Sequence, residues 1–261
     1  PPPPQVDALR VLGVLYAQRP DTSDKALERL SRAAELSPNA NDVDVWLEVG
    51  KLQQTRDLAA ALKAYEKAAA VLKRSQRAVP VELWNNLGAI RHRLGKLESA
   101  EEAYRRALRV SAEAGTTSEF DSINVTVTYN LARLLEERDR ASEAEEKYKA
   151  LLAEHPNYID AFLRLASIER GRGKPKAAIG WLKKALDVSP ADPDLWCLLG
   201  TIQVEIGDVV AADSSFRRVL TKAVERGDAH ENCKKDAYAT ISLANIQVAN
   251  ADHKNQERLD K

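Results

Sequence analysis

The side chains in this chain that could do nucleophilic, acid–base or metal chemistry are few and scattered. Only four His and two Cys occur among 261 residues. His230 and Cys233 are close in sequence, but no second ligand pair lies nearby, and a closed zinc site needs four ligands. No phosphate-binding loop, H-E-x-x-H string or nucleophile elbow is present in the sequence. We therefore expect no catalytic site, no metal site and no cofactor.

Amide and guanidinium side chains form a second group of candidates, and these would bind a protein partner. Such groups can hold the backbone and the carboxylates of an extended segment. The alternative is that they are solvated residues with no dedicated ligand. They lie close to short Leu-Gly or Leu-Ala strings, and the candidates are Asn85, Asn86, His92, Arg93, Tyr129, Asn130, Arg133, Arg164 and Arg170.

Those strings belong to a repeat. Residues 84–88 (WNNLG) and 196–200 (WCLLG) share a W-x-x-L-G pattern, and each is followed by an A-x-x-x-aromatic string. Phe162 stands in the same place in another copy, 34 residues before Trp196. This period and pattern are typical of tetratricopeptide (TPR) repeats. The sequence therefore predicts an all-α fold, a right-handed superhelical solenoid of TPR helix pairs.

Each predicted repeat has a first helix, A, and a second helix, B. A small residue after Leu or Val in helix A should let helix B approach closely. These pairs are Leu12-Gly13, Val49-Gly50, Leu87-Gly88, Leu131-Ala132, Leu165-Ala166, Leu199-Gly200 and Leu243-Ala244. Three glycines fall where A should turn into B, in left-handed backbone conformation: Gly95, Gly173 and Gly207. Three prolines should follow the ends of B helices: Pro38, Pro156 and Pro190.

We predict one TPR array over residues 1–261, an internal fragment of a longer protein. Its repeats fall near 5–38, 42–79, 80–115, 123–156, 158–190, 192–225 and, in part, 235–261. The spacing is uneven: Trp46 and Trp84 are 38 residues apart, whereas Trp84 and Thr128 are 44 apart. We interpret the first excess as a longer helix B that runs through residues 71–74 to Pro80. We interpret the second as a loop over 111–122, with Asn124 capping the next helix.

Composition excludes several classes of protein. Lys plus Arg and Asp plus Glu each total 39, so the net charge is zero and no basic bias points to nucleic acid. The basic cluster around Arg105 and Arg106 is balanced by Glu101 and Glu102, a pattern typical of a solvated helix face. Two cysteines make no disulfide framework and favour a reducing compartment. No apolar run is long enough to span a membrane.

Three strings go beyond the TPR consensus. They are residues 79–89 (VPVELWNNLGA), 123–134 (INVTVTYNLARL) and 154–160 (EHPNYID). These strings resemble the Ctr-nine family, the TPR scaffold subunit of the RNA polymerase II-associated factor (Paf) complex. The repeat itself requires neither Tyr129-Asn130 with Arg133 nor His155 with Asn157-Tyr158. The resemblance extends over residues 42–220.

This resemblance implies a function for the chain. A member of the Ctr-nine family would be a nuclear, non-catalytic scaffold for transcription elongation. Its partners would be the other subunits of the Paf complex and RNA polymerase II, with no direct contact to nucleic acid and no membrane. Through that complex the family is linked to histone H2B ubiquitination and histone H3 methylation.

Two other TPR classes stay open. Chaperone cofactors clamp a C-terminal carboxylate with Lys and Asn, but Asn85 and Ala89 stand at those positions here, which disfavours that class. The TPR arm of a sugar transferase carries an asparagine ladder. Asn86 and Asn130 would be two rungs of such a ladder, and it is interrupted at Arg164 and Leu198.

The tryptophans have a simpler interpretation. Trp46, Trp84 and Trp196 occupy the large-residue position of helix A, and we expect them to pack between repeats. Trp181 lies on a predicted B helix. If its ring is exposed, it would anchor a partner.

Overall fold

A computed structural model describes residues 4–37, 42–115, 118–226, 242–243 and 245–246, and over these residues it contains helices and no strands. The α-helices are α1 Pro4–Ala17, α2 Ser23–Leu36, α3 Val43–Gln53, α4 Leu58–Arg74, α5 Val81–Arg93, α6 Leu97–Ala114, α7 Ser118–Glu137, α8 Ala141–Glu154, α9 Ile159–Gly171, α10 Pro175–Val188, α11 Pro193–Glu205 and α12 Val209–Arg226. Odd-numbered helices are the predicted A helices. Five of them pack against the B helix that follows: α1, α3, α5, α9 and α11.

The chain divides into two compact units. Unit 1 comprises Pro1–Ala144 and unit 2 comprises Glu145–Lys261, with the boundary inside α8. In unit 1, a core cluster forms where Leu30 of α2 meets Val45 and Val49 of α3. In unit 2, Phe162 of α9 and Leu182 of α10 pack in a cluster with apolar residues of α11.

Acidic residues and a proline stand at the N-termini of two helices, α4 and α11. The Asp57 carboxylate accepts hydrogen bonds from the amides of Ala59 (2.8 Å) and Ala60 (3.0 Å) at the start of α4. Asp192 caps α11 in the same way, and Pro193 takes the first helical position. Such side chains satisfy amides that the helix itself leaves unpaired, so they fix where each helix begins.

The turns between A and B helices adopt the predicted left-handed conformation. Gly95, Gly173 and Gly207 have φ angles of 72°, 71° and 78°, so this prediction is confirmed. In the fourth repeat the same turn is made by Asp139, with φ 57°. Its following amide, that of Arg140, donates to the carbonyl oxygen of Leu135 at 2.9 Å, the bond that ends a helix with a left-handed residue.

The close approach of the paired helices is confirmed at the glycines of the A helices. A Cβ atom built on Gly88 would lie 2.6 Å from the ring of Tyr104, which is buried on α6. A Cβ atom on Gly200 would lie 2.7 Å from the ring of Phe216, which is buried on α12. Real Cβ atoms do not approach other atoms this closely, so the ring of helix B rests directly on the backbone of helix A.

The predicted loop over residues 111–122 is wrong. Helix α6 continues to Ala114 and helix α7 begins at Ser118, so most of the extra residues lengthen these two helices. Ala112 and Ala114 favour helix, and Gly115, with φ 77°, ends it. Because α7 begins at Ser118, Asn124 lies inside that helix and is no cap.

The longer helix B of the second repeat is confirmed as far as Arg74, where α4 ends. Its predicted continuation to Pro80 is wrong, because residues 75–80 are not helical. Several other predictions fall outside the described residues: the turn at Pro38, the His230 and Cys233 pair, and the partial repeat at 235–261 apart from four residues of it. Of those four, Leu243 and Ile246 are buried in a cluster with Phe216.

A substitution of Gly88 by Ala tests the close approach. Because the new Cβ would meet the Tyr104 ring, we expect Gly88→Ala to lower the free energy of unfolding by about 1–3 kcal/mol. Urea denaturation followed by circular dichroism measures it. Gly180→Ala is the matched control, since no atom lies within 4 Å of its added Cβ; it should stabilise α10 by about 0.5–1 kcal/mol. Equal effects of the two changes would contradict the packing described here.

A substitution of Asp139 by Gly tests the turn of the fourth repeat. Glycine adopts positive φ without the steric cost that a Cβ atom brings, so Asp139→Gly should stabilise unit 1 by up to about 1 kcal/mol. The converse change in the equivalent turn, Gly95→Asp, should destabilise it by a similar amount. Thermal melting of both variants checks this. A loss of stability in Asp139→Gly would show that the Asp side chain has a stabilising role there.

Candidate protein-binding surface

Three of the predicted groove residues in unit 1 join neighbouring A helices. The Asn130 side-chain amide on α7 donates to the Asn85 Oδ1 atom on α5 at 3.1 Å, and Asn85 is only 8% exposed. Two turns further along, the His92 Nε2 atom lies 2.7 Å from Glu137 Oε2. The buried Asn85 oxygen needs a partner, which Asn130 supplies. The His92–Glu137 contact is more exposed and adds a second connection between α5 and α7. Asn85, Asn130 and His92 therefore support the fold of unit 1.

Arg93 also makes a contact between repeats. Its Nη1 atom donates to the carbonyl oxygen of Gln54 at 3.1 Å. Gln54 directly follows α3, so the guanidinium lies at a helix C-terminus, where a positive charge is favourable. The Arg93 side chain is exposed, but part of its hydrogen-bonding capacity is already used inside the molecule.

The other unit 1 candidates differ in exposure. Asn86 and Tyr129 are half-buried, and Tyr129 has an interaction within the chain. Arg133 on α7 is exposed, and among the described residues it forms no hydrogen bond or ion pair. Burial raises the pKa of the nearby Tyr104, and the positive charge of Arg133 opposes that rise. Arg133 is therefore the predicted groove cation most available to a partner in unit 1.

The remaining candidates, Arg164 and Arg170, belong to unit 2. Arg170 on α9 forms a two-point ion pair with Glu205 on α11, in which Nε donates to Oε2 at 3.0 Å. Arg164 is half-buried and also interacts within the chain. Arg170 thus joins two successive A helices, as His92 does in unit 1.

The sequence prediction of a solvated helix face is wrong for Glu101. This carboxylate on α6 is 8% exposed and contacts three guanidiniums. Arg105 donates from Nε at 2.9 Å, Arg140 donates from Nη1 at 2.9 Å to both oxygens, and Arg138 forms the third ion pair. Arg138 and Arg140 lie in the turn between α7 and α8, so Glu101 connects the third repeat to the fourth.

The pKa of Glu101 follows from these contacts. Burial alone would raise it, but the hydrogen bonds and charges of Arg105 and Arg140 outweigh burial, and the pKa is lowered. Glu101 is therefore ionised at neutral pH. Both arginines of the basic cluster on α6 are paired with acids of the same helix, Arg105 with Glu101 and Arg106 with Glu102.

Unit 2 repeats this arrangement. Glu145 on α8 pairs with Arg172 in the turn after α9 and with Lys149, each at 2.5 Å. The hydrogen bonds from Lys149 and Arg172 lower the pKa of Glu145. Both acids directly follow the small residue of helix B, in Ala100-Glu101 and Ala144-Glu145. An acid at this position, with Arg in the next A-to-B turn, was the signal in the sequence that could have revealed both contacts.

The tryptophans of the A helices pack between helices, as predicted. Trp84 is buried, and the cations of Lys73 and Arg106 lie 5.3 and 5.1 Å from its ring centre. The Trp196 ring N–H donates to the carbonyl oxygen of Pro190 at 2.8 Å. Trp181 is partly buried in the core of unit 2, with its ring centre 6.2 Å from that of Phe162. Its ring is not an exposed anchor.

Comparison with known proteins agrees with the repeat geometry. Models of the tetratricopeptide repeat match residues 81–111 and 129–194. A solved structure, the C-terminal part of a TPR repeat-containing protein from Cytophaga hutchinsonii, aligns with 94% of this chain and 90% of that one, with a TM-score of 0.71 and 12% identity. The chain is a tetratricopeptide repeat protein, and its predicted fold class is confirmed.

Relatives found by sequence similarity include named members of one TPR family. Protein CTR9 homolog from Arabidopsis thaliana is 31% identical over 274 residues, which cover 93% of this chain and 24% of that protein. RNA polymerase-associated protein CTR9 from Caenorhabditis elegans is 28% identical over 278 residues, covering 98% of this chain and 24% of that protein. The predicted resemblance to the Ctr-nine family is confirmed, and the chain is Ctr9-like. It spans about a quarter of the length of these relatives.

Neutralising Glu101 tests its role between repeats. In Glu101→Gln, three guanidiniums lose their shared charge partner, and we expect a loss of about 1–3 kcal/mol in the free energy of unfolding. Glu102→Gln is the matched control. Glu102 is exposed and pairs only with Arg106 among the described residues, so its loss should cost at most about 0.5 kcal/mol.

The pH dependence of that difference follows from the lowered pKa of Glu101. A carboxylate with a lowered folded-state pKa contributes fully above its unfolded pKa, and the contribution disappears as the pH falls through the folded value. The stability gap between the wild type and Glu101→Gln should therefore be largest near neutral pH and shrink in acid. Urea denaturation at a series of pH values measures it, and a gap that widens on acidification would contradict this assignment.

Proposed function

We propose that this chain is a protein-interaction scaffold in a transcription elongation complex that acts with RNA polymerase II. The observation that carries this proposal is the similarity to CTR9 proteins over 93% and 98% of the chain. The relative from Caenorhabditis elegans is named RNA polymerase-associated. In this proposal the partners are the other subunits of the Paf complex and RNA polymerase II, and the protein acts in the nucleus.

The proposal extends to chromatin. Through the same complex, the scaffold would support histone H2B ubiquitination and histone H3 methylation. We assign it no direct contact with nucleic acid, and the electrostatics of unit 1 support this. The guanidiniums of Arg105, Arg138 and Arg140 lie against Glu101 and its neighbouring acids, so they form no uncompensated basic patch.

The proposal assigns no catalysis to the chain. The shifted pKa values in the described residues belong to residues in ion pairs, such as Glu101 and Glu145, or to buried tyrosines. Burial raises the pKa of Tyr65 to about 12, for example. The described part of the chain contains no group of three or more His, Cys, Asp and Glu side chains placed to hold a metal ion. None of the helices described is long and apolar enough to cross a membrane.

The other TPR classes find less support. A carboxylate clamp needs a cation in the groove, yet Asn85 at the corresponding position is nearly buried and accepts a hydrogen bond from Asn130. An asparagine ladder needs free side-chain amides on successive A helices. The side-chain amide of Asn130 instead donates a hydrogen bond to Asn85, so this position of the ladder is already engaged within the chain.

Arg133 offers the sharpest test of the proposed scaffold. Its cation is exposed and unpaired among the described residues, so Arg133→Glu should remove a partner contact without disturbing the fold. Tagged protein containing this chain is purified from cells, and recovered proteins are quantified by mass spectrometry. We expect polymerase-associated subunits with the wild type, and about tenfold less of at least one of them with Arg133→Glu.

Arg109→Glu is the matched control, because Arg109 is equally an exposed arginine but lies on a B helix, α6. It should leave partner recovery unchanged, and circular dichroism should show the same melting temperature for all three proteins. Recovery of chaperones without any transcription protein would overturn the proposed function. Equal losses with both variants would show that Arg133 is not a specific contact.

A further inference from the structure

The first helix carries most of the exposed large hydrophobic residues in the described part of the chain. Six large hydrophobic residues are markedly exposed there, and four of them lie on α1: Val11, Leu12, Val14 and Leu15. Their exposed fractions are 54%, 43%, 39% and 53%. Exposed apolar residues that cluster on one helix mark an interaction surface more often than isolated ones do.

The repeat register separates these four residues into two pairs. Leu12 and Leu15 correspond to Leu87 and Ile90 of the third repeat, which are each 1% exposed. These positions are apolar and buried where a helix pair precedes the A helix. No helix precedes α1 among the described residues. The exposure of Leu12 and Leu15 therefore needs no binding partner to explain it.

Val11 and Val14 differ from their counterparts in later repeats. Val11 directly precedes the Leu12-Gly13 pair of helix A. In repeats two to six the residue before the equivalent pair is Glu48, Asn86, Asn130, Arg164 and Leu198. Val14 directly follows the pair, and in the same repeats that residue is Lys51, Ala89, Arg133, Ser167 and Thr201. Most of these residues are polar. The first repeat thus presents valine on the face where later repeats present the groove candidates.

These valines line a cleft between the first two A helices. The cleft has a volume of about 330 Å³; Val11, Val14 and Leu15 of α1 lie on one side, and Asp44, Val45 and Glu48 of α3 lie on the other. A cavity of this size accepts one or two aliphatic side chains. All of these residues belong to unit 1.

The rim of the cleft is acidic on the α3 side. Asp44 is exposed and forms no ion pair among the described residues, whereas Glu48 pairs with Lys51 at 2.7 Å. The positive charge on the opposite side, Arg10, is paired with Asp7 at 3.4 Å. The unpaired charge at this cleft is therefore the carboxylate of Asp44, and it favours a cationic partner.

We propose that this cleft, lined by Val11, Val14 and Asp44, binds a partner protein segment of aliphatic and basic character. The segment inserts an aliphatic side chain between α1 and α3 and places a nearby Lys or Arg against Asp44. Burial of the aliphatic side chain supplies the affinity, and the ion pair selects basic over acidic segments. The inference rests on the proposed scaffold function and names the chemistry of one partner.

A library of short random peptides displayed on phage tests this proposal with the whole chain as bait. Enriched peptides should carry an aliphatic residue with Lys or Arg within one helical turn. A synthetic copy of an enriched peptide should bind Val14→Glu about tenfold more weakly, or worse, because the apolar wall then carries a charge. Val210→Glu is the matched control: Val210 is 83% exposed on α12 in unit 2, and its loss should leave binding unchanged.

Reversal of the rim charge provides the second arm. Selection against Asp44→Lys should enrich acidic peptides in place of basic ones, while circular dichroism shows an unchanged fold. No enrichment at all would overturn the proposal. Peptides that bind equally to the wild type, Val14→Glu and Asp44→Lys would also overturn it, but would leave the scaffold function standing. That function is tested separately by the proteins recovered from cells.

Discussion

The contact of a buried ring on helix B with a glycine of helix A is the constraint on which the rest of this structure depends. Tyr104 against Gly88 and Phe216 against Gly200 leave no room even for a methyl group. Because the ring can meet the backbone at only one place, the contact fixes the rotation of both helices about their axes. That rotation decides which side of each A helix is buried and which side remains open to a partner.

Polar contacts then determine how successive repeats join. Glu101 with three arginines, Glu145 with Arg172, and Arg170 with Glu205 each connect one repeat to the next. This explains why a chain with 30% charged residues and no net charge does not form a uniformly solvated surface. Opposite charges are placed where repeats meet, and buried or half-buried carboxylates there stay ionised because the guanidiniums offset the cost of burial.

The sequence predicts the helix pairs, the glycine turns and the packing of the tryptophans, because each depends on residues within one repeat period. It fails over residues 111–122, since there the local helix propensity of Ala112 and Ala114 decides, and no repeat pattern applies. It also fails for Glu101. Two of its three partners, Arg138 and Arg140, lie 37 and 39 positions away, so their contact with Glu101 depends on how two repeats stack. A period alone carries no information about that geometry.

Contacts within the chain decide which residues of the candidate surface are available to a partner. Asn85, His92 and Arg93 have the residue types of a binding groove, but each already has a partner inside unit 1. A ligand that binds them must break an intramolecular bond to gain an intermolecular one, and the net gain is small. Arg133 and Asp44 lack such partners among the described residues, and Val11 and Val14 expose apolar surface to water. Binding there breaks no intramolecular contact, so the cost is limited to desolvation and to the ordering of the two partners.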